Sequence, residues 1–260
     1  MRNKDYALVA GGSKGIGYAI AAALANKNYN LILVDRYEKE LIKAKSKLLS
    51  EYPIQIEILL FDLTEENTAT AIAKWCRKNE IQLKMLCNVA GYGGVNDYLS
   101  LSLNELRYMV NLNIGSCMAL SLTLLPLLEK NTPAYILNVA SMAGFAPIPL
   151  KNMYSSTKSA VIFFSYALKN QLKDKNISVS CLCPGPIFTT PEIEETTKKN
   201  LGWFGEKMAV APKKVGEIAV RNTLKGKMII IPGILAKWVS VLLRILPRKW
   251  SIAFYSNMGD

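Results

Sequence analysis

Short, continuous apolar runs alternate along this chain with longer stretches of helical periodicity. The apolar runs fall at 6–10, 31–35, 54–61, 85–89, 134–140, 179–183 and 228–232. Most do not alternate apolar with polar, which predicts strands buried on both faces rather than half-exposed ones. Between them, segments 15–27, 37–50, 65–79, 102–129, 152–174 and 213–224 carry helical patterns. In the longest, Leu103, Leu106, Val110, Ile114, Ala119, Leu122 and Leu125 recur at spacings of three to five and predict one long helix with a wide apolar face. Strands alternating with helices predict an α/β fold: one domain over residues 1–260, a doubly wound parallel sheet of about seven strands with helices on both faces.

Two regions break the rhythm. Residues 184–212 are too polar and too interrupted for a strand, yet long for a loop, and read as a substrate lid. Residues 233–260 form an apolar, basic tail. From Ile234 to Leu246 the apolar residues fill most of a helical wheel, with Lys237, Ser240 and Arg244 along one narrow stripe. Flanked by Trp238, Trp250, Arg248 and Lys249, such a tail suits peripheral contact with an anionic membrane, and equally a second subunit or the lid.

Composition narrows the chemistry. Histidine is absent, which excludes a Ser-His-Asp triad, a Cys-His pair and a histidine-ligated zinc site. The five cysteines lack zinc-knuckle spacing, so no metal is expected; they read as reduced, mostly core thiols of a cytoplasmic protein. No signal peptide is visible, and no stretch reads as the roughly 18 uncharged apolar residues of a membrane span. The net charge is +12, of which residues 213–249 contribute +8 through nine basic side chains against Glu217. A basic tail can bind nucleic acid, but that reading explains the charge and none of the motifs, so no nucleic-acid partner is expected.

The first strand runs into Gly11-Gly12-Ser13-Lys14-Gly15-Ile16-Gly17 and then an alanine-rich helix. A strand, a glycine turn and a helix start together aim backbone N–H groups and the positive helix end at a phosphate. Asp35 closes the second strand 18 residues after Gly17, where a carboxylate accepts from adenosine ribose hydroxyls and repels a ribose phosphate. Lys14 and Arg36 argue the other way, since both can neutralise that phosphate. The carboxylate weighs more, so NAD is favoured over NADP.

Tyr154 and Lys158 are four residues apart at the start of segment 152–174, hence on one helix face. A phenol with its usual pKa near 10 is a poor base at neutral pH; a neighbouring ammonium stabilises the phenolate. Such a tyrosine can protonate a carbonyl oxygen or deprotonate an alcohol while a hydride moves to or from a nicotinamide. Ser141 follows the fifth apolar run at a carboxyl-terminal strand end, where its hydroxyl can polarise the same oxygen.

Over nearly its full length the chain resembles the short-chain dehydrogenase/reductases, closest in look to the ketoacyl and hydroxysteroid reductases, on a Rossmann-type sheet. The resemblance rests on the glycine turn, Asp62-Leu63, Asn88-Val89-Ala90-Gly91, Asn113, Ser141, Tyr154-x-x-x-Lys158 and Pro184-Gly185-x-x-x-Thr189. It implies that Asp62 and Leu63 bracket the adenine and that Asn88, Ala90 and Gly91 shape the cofactor cleft. Asn113 would hold a water in a proton relay beside Lys158, which also grips the nicotinamide ribose. Pro184, Gly185, Ile187 and Thr189 would lie at the nicotinamide end. The catalytic set would be Asn113, Ser141, Tyr154 and Lys158, and pairing through 102–129 and 152–174 would give a homodimer or homotetramer. Val89 replaces the family's second asparagine without removing a catalytic group. By the same resemblance the lid spans 186–211, and its Phe188, Ile193, Leu201, Trp203, Phe204 and Met208 suit an apolar or acyl-chain small molecule. The alternative to an NAD(P)-dependent oxidoreductase is a non-catalytic cofactor-binding scaffold on the same fold.

Overall fold

A computed structural model describes residues 5–93, 98–188 and 207–256, the last four of these by backbone alone. Seven strands form one parallel sheet in the order β3-β2-β1-β4-β5-β6-β7. They are β1 (Asp5–Ala10), β2 (Asn30–Asp35), β3 (Ile56–Leu60), β4 (Gln82–Asn88), β5 (Ala134–Val139), β6 (Ile177–Leu182) and β7 (Ile229–Ile230). Every apolar run anticipated as a strand contributes one, though β7 keeps only two residues. Chain order reverses between β1 and β4, and at such a switch the loops diverge and leave a crevice at the carboxyl ends of the strands.

Helices α1 (Gly15–Ala25), α2 (Glu38–Glu51), α3 (Thr68–Lys78), α6 (Asn152–Gln171) and α7 (Pro212–Thr223) follow the sequence pattern closely. Ile20, Leu24, Leu41 and Leu48 pack with Leu31 and Leu33 in one core cluster, while Ile72, Leu120, Leu124 and Leu128 pack with Ile32, Leu86 and Ile136 in another. Continuous apolar strands therefore serve helices on both sides.

Segment 102–129 is the expected long helix, carrying one π turn within it. A capping box between Ser102 and Glu105 starts α4 (Leu103–Val110), a π turn covers Asn111–Gly115, and α5 runs Ser116–Lys130. The extra residue of the π turn is what the spacing of five from Ile114 to Ala119 records. Contrary to expectation, Leu103–Lys130 is by length and composition apolar enough to cross a membrane. Here one face of it packs inside the fold, with Leu120, Leu124 and Leu128 fully buried, while Leu103 and Leu122 are exposed.

Helices α8 (Ile234–Ile245) and α9 (Arg248–Ser256) build the tail. The Lys237, Ser240 and Arg244 stripe of α8 does not face outward as a unit. Ser240 is buried beside Ala236 and Leu243, and Arg244 lies over the Phe145 ring, 4.2 Å from its centroid. Arg248 Nη1 donates to the Phe145 carbonyl at 2.7 Å, holding the tail to the loop after β5.

Candidate active site

The glycine turn is shaped by two close approaches. Gly11 has φ +83°, the left-handed region that favours glycine, and a Cβ there would meet Ala90 N at 2.7 Å. A Cβ on Gly17 would stand 1.8 Å from the Gly11 carbonyl oxygen, so only glycine lets α1 start this close to β1. The turn is pinned sideways to β2 by Gly11 N–H donating to the Val34 carbonyl at 2.8 Å. The first N–H groups of α1 have no helical partner and are free for a ligand.

The resulting cleft encloses about 350 Å³ and is lined by Gly11, Lys14 to Gly17, Asp35, Arg36, Asp62, Leu63, Ala90 and Gly91, all foreseen from sequence. Val89, inside the Asn88-Val89-Ala90-Gly91 motif, also lines it, as do Tyr37, Phe61, Tyr92, Tyr108 and Leu112, which were not foreseen. No motif marks them; their shared position exists only after folding.

Asp35 lines the cleft as expected, but with partners in the protein that its position did not announce. One carboxylate oxygen accepts from Ser13 Oγ at 2.6 Å and the other from Arg36 N–H at 2.8 Å, so both are engaged within the protein. The adjoining cations are poised instead. The Lys14 ammonium stands 4.7 Å from the Tyr37 ring centroid and the Arg36 guanidinium 4.9 Å from it, with Tyr108 5.1 Å from Arg36 on another side. Arg36 also donates to Tyr37 Oη at 2.7 Å and reaches Asp62 at 3.4 Å. Burial raises the Asp62 carboxyl, but hydrogen bonds from Thr64 N–H and Oγ1 and the Arg36 guanidinium outweigh it, leaving the pKa below its usual value.

Asn88 is engaged elsewhere. Its side chain turns away from the cleft and donates to Asn138 Oδ1 at 2.8 Å and Ser121 Oγ at 3.1 Å. Asn138, fully buried on β5, donates in turn to Ser165 Oγ of α6 at 3.0 Å. These residues form a buried seam joining β4, β5, α5 and α6, and buried amides need such partners. Ile187 likewise sends its side chain into the core beside Leu182.

Beyond the glycine turn, the proton-handling candidates converge. Lys158 is buried and its ammonium donates to the Val139 carbonyl, the last of β5, at 3.0 Å. The Tyr154 ring centroid lies 5.7 Å from that ammonium, one helical turn away. A Cβ on Gly91, in the cleft wall, would come 3.0 Å from Lys158 Nζ and 3.3 Å from Asn113 Oδ1. Asn113 sits in the π turn, accepts from Tyr92 N–H at 2.7 Å, and donates to the Tyr92 carbonyl at 3.0 Å and to Thr157 Oγ1 at 2.9 Å. Thr157, buried between Tyr154 and Lys158, was not foreseen, although its place inside the Tyr-x-x-x-Lys motif was the available signal. Ser141 stands two residues past β5, its oxygen accepting from Ala143 N–H at 3.1 Å.

The Met142 N–H donates to the Pro184 carbonyl at 3.0 Å, tying the Ser141 turn to Pro184-Gly185. Thr189 and the lid residues Ile193, Leu201, Trp203 and Phe204 lie outside the described residues, whereas Met208 is buried. Among the described residues no cluster of ligating side chains could hold a metal. All five cysteines are free and buried.

Comparison with known proteins agrees with this geometry. A family model described as short chain dehydrogenase matches residues 5–200. The very-long-chain 3-oxoacyl-CoA reductase-A of Danio rerio is 27% identical over 259 residues, which cover 98% of this chain and 79% of that protein. The very-long-chain 3-oxoacyl-CoA reductase of Eremothecium gossypii is 31% identical over 187 residues, 68% of this chain and only 53% of its own length. Among solved structures, a short-chain dehydrogenase from Sphingobium yanoikuyae in complex with NADPH superposes with a TM-score of 0.78 at 22% identity, covering 94% of this chain and 97% of that one.

Proposed function

Since the chain belongs to the short-chain dehydrogenase family and is an NAD(P)-dependent oxidoreductase, we propose that it uses NADPH to reduce the ketone of an apolar, acyl-chain substrate. The observation that carries this reading is the meeting of Lys158 and Asn113 at Gly91, in the wall of the glycine-turn cleft, with the Tyr154 ring 5.7 Å from the Lys158 ammonium. The substrate class is supported by the 3-oxoacyl-CoA reductases among the relatives.

The residues present fit a dinucleotide phosphate. The α1 start and glycine turn would take the pyrophosphate, and Lys14 and Arg36 would face the ribose phosphate. The engagement of both Asp35 oxygens weakens the reason for expecting NAD, because fewer of its lone pairs are left to accept from ribose hydroxyls. The NADPH of the Sphingobium structure points the same way.

When bound, the cofactor supplies the hydride. Tyr154 gives its phenolic proton to the carbonyl oxygen, so that a ketone becomes a secondary alcohol. Ser141, with its oxygen already accepting from Ala143, donates its hydroxyl proton to the same carbonyl and holds it in place. Lys158 keeps a fixed ammonium behind the phenol, and Asn113 fixes the π turn that closes this corner. The exposed outer faces of α5 and α6, with Leu122, Phe163 and Tyr166, favour pairing with a second copy as a homodimer or homotetramer. The free, buried thiols suit a reducing, cytoplasmic compartment.

The test is NADPH oxidation with 3-oxoacyl thioesters of graded chain length, for the native chain and Tyr154→Phe. Turnover rising with chain length and falling about 10²–10⁴-fold in the variant, with NADPH binding retained, is the expected result. Equal turnover in both proteins would remove Tyr154 from the chemistry; cofactor binding without any turnover would favour the scaffold.

A further inference from the structure

Helix α8 presents its apolar face to the outside. Ala236, Ser240 and Leu243 are buried, whereas Ile234, Trp238 and Ile245 are 77%, 71% and 76% exposed, with Val241 and Leu242 between them. Positions 234, 238, 241, 242 and 245 follow helical spacing, so these five side chains form one stripe about three turns long. Helix α9 adds Trp250, 66% exposed. Isolated apolar side chains at a surface need no explanation; a continuous stripe with two tryptophans marks a binding surface.

Charge identifies the partner. No acidic residue occurs from 218 to 259, while Arg221, Lys225, Lys227, Lys237, Arg244, Arg248 and Lys249 all fall in that stretch. Lys237, Arg244, Arg248 and Lys249 belong to the two helices that carry the stripe. A second copy docked here about a twofold axis would set these cations against the same cations, with no carboxylate on either helix among the described residues. An anionic lipid surface offers the opposite charge for the basic groups and an acyl boundary for tryptophan and isoleucine.

We propose that α8 lies in the surface of an anionic membrane, its Ile234–Trp238–Ile245 face immersed at the headgroup boundary and the exposed Lys237 and Lys249 against the lipid phosphates. The buried side of the same helix reaches the candidate active site. Ala236 packs over the Gly185 turn, close enough that a Cβ on Gly185 would lie 3.9 Å from Ala236 Cβ. One helix thus separates lipid from the Pro184-Gly185 end of the cleft, and a docked molecule would hold that end beside the bilayer that dissolves an acyl-chain substrate. This last step rests on the proposed substrate class; the docking itself does not.

The experiment is flotation of the full chain with phosphatidylcholine vesicles, with and without phosphatidylglycerol, for the native protein and for Ile234→Ser/Trp238→Ser/Ile245→Ser. The native chain is expected to float with the anionic vesicles at low salt and to be released at high salt. The triple variant should stay in the soluble fraction while its turnover of a short water-soluble ketone remains within about twofold, since all three side chains are exposed. Failure of the native chain to float at low salt, or undiminished flotation of the variant, overturns the proposal. A fall in the variant's mass by light scattering without a loss of flotation also overturns it, and assigns the face to a second copy. Intact flotation without ketone reduction would sink the reductase reading and leave the docking face standing.

Discussion

The Asn113 side-chain amide donates to Thr157 Oγ1 at 2.9 Å, and Thr157 Oγ1 donates to the Tyr154 carbonyl at 2.8 Å. This short chain of bonds joins the π turn to the first turn of the helix that carries Tyr154 and Lys158. Thr157→Val keeps the shape but takes one of the two acceptors from the buried Asn113 amide, leaving its bond to the Tyr92 carbonyl. The expected cost is about 1–3 kcal/mol in denaturant unfolding. Turnover should fall about tenfold through loss of alignment, with NADPH affinity unchanged. Thr157→Ser should restore both. Loss of stability with full turnover would make Thr157 structural only.

Arg36 should discriminate between the two cofactors. With Asp35 engaged by Ser13 and the backbone, the guanidinium beside Tyr37 is the group facing a ribose phosphate in the proposed reading. Arg36→Ala should raise KM for NADPH roughly 10–100-fold, the size of a lost charge-assisted hydrogen bond, and change KM for NADH little. Steady-state kinetics with both cofactors checks this, and equal changes would return the preference to Asp35.

At Gly17 a methyl group has no room. Its Cβ would overlap the Gly11 carbonyl oxygen at 1.8 Å, and that neighbour is backbone. Gly17→Ala should cost at least the roughly 1–3 kcal/mol of ordinary over-packing. It should also abolish the rise in Tm that NADPH gives the native chain, as seen by thermal melts with and without cofactor.

Much of this was legible in the sequence because it depends on local spacing. The spacing of four from Tyr154 to Lys158 fixes one helix face, and a glycine cluster after an apolar run fixes a turn. What spacing does not show shares a different cause. Asp35 is marked by its position after β2, but its hydrogen bonds depend on Ser13, brought alongside by the turn. Asn88 belongs to a cofactor-cleft motif, yet its partner Asn138 lies 50 residues away and draws it inward. The inward side of α8 could not be read from its wheel, because Phe145 and the Gly185 turn decide which stripe is covered.

The cysteines provide a check on burial. Burial pushes the Cys76 and Cys117 thiols up to about 12, and Cys87 is raised for the same reason. Cys181 is lowered by its hydrogen bond with Cys183, but both are fully buried. Inaccessible thiols do not attack a disulfide reagent. None of the five should react in the native protein at mildly alkaline pH, and all five should react in denaturant, counted with a chromogenic aromatic disulfide. A rapidly titrating thiol in the native state would contradict the core described for β6 and α5.

The carbonyl of Val139 holds the Lys158 ammonium, and Ser141 stands only two residues further along the same backbone. Cation and hydroxyl therefore hang from a common peg at the tip of a central strand. Their relation is set where the α6 lysine meets the end of β5, on backbone that belongs to the sheet. Loops around such a peg can diverge to admit different ketones while the proton machinery keeps its gauge.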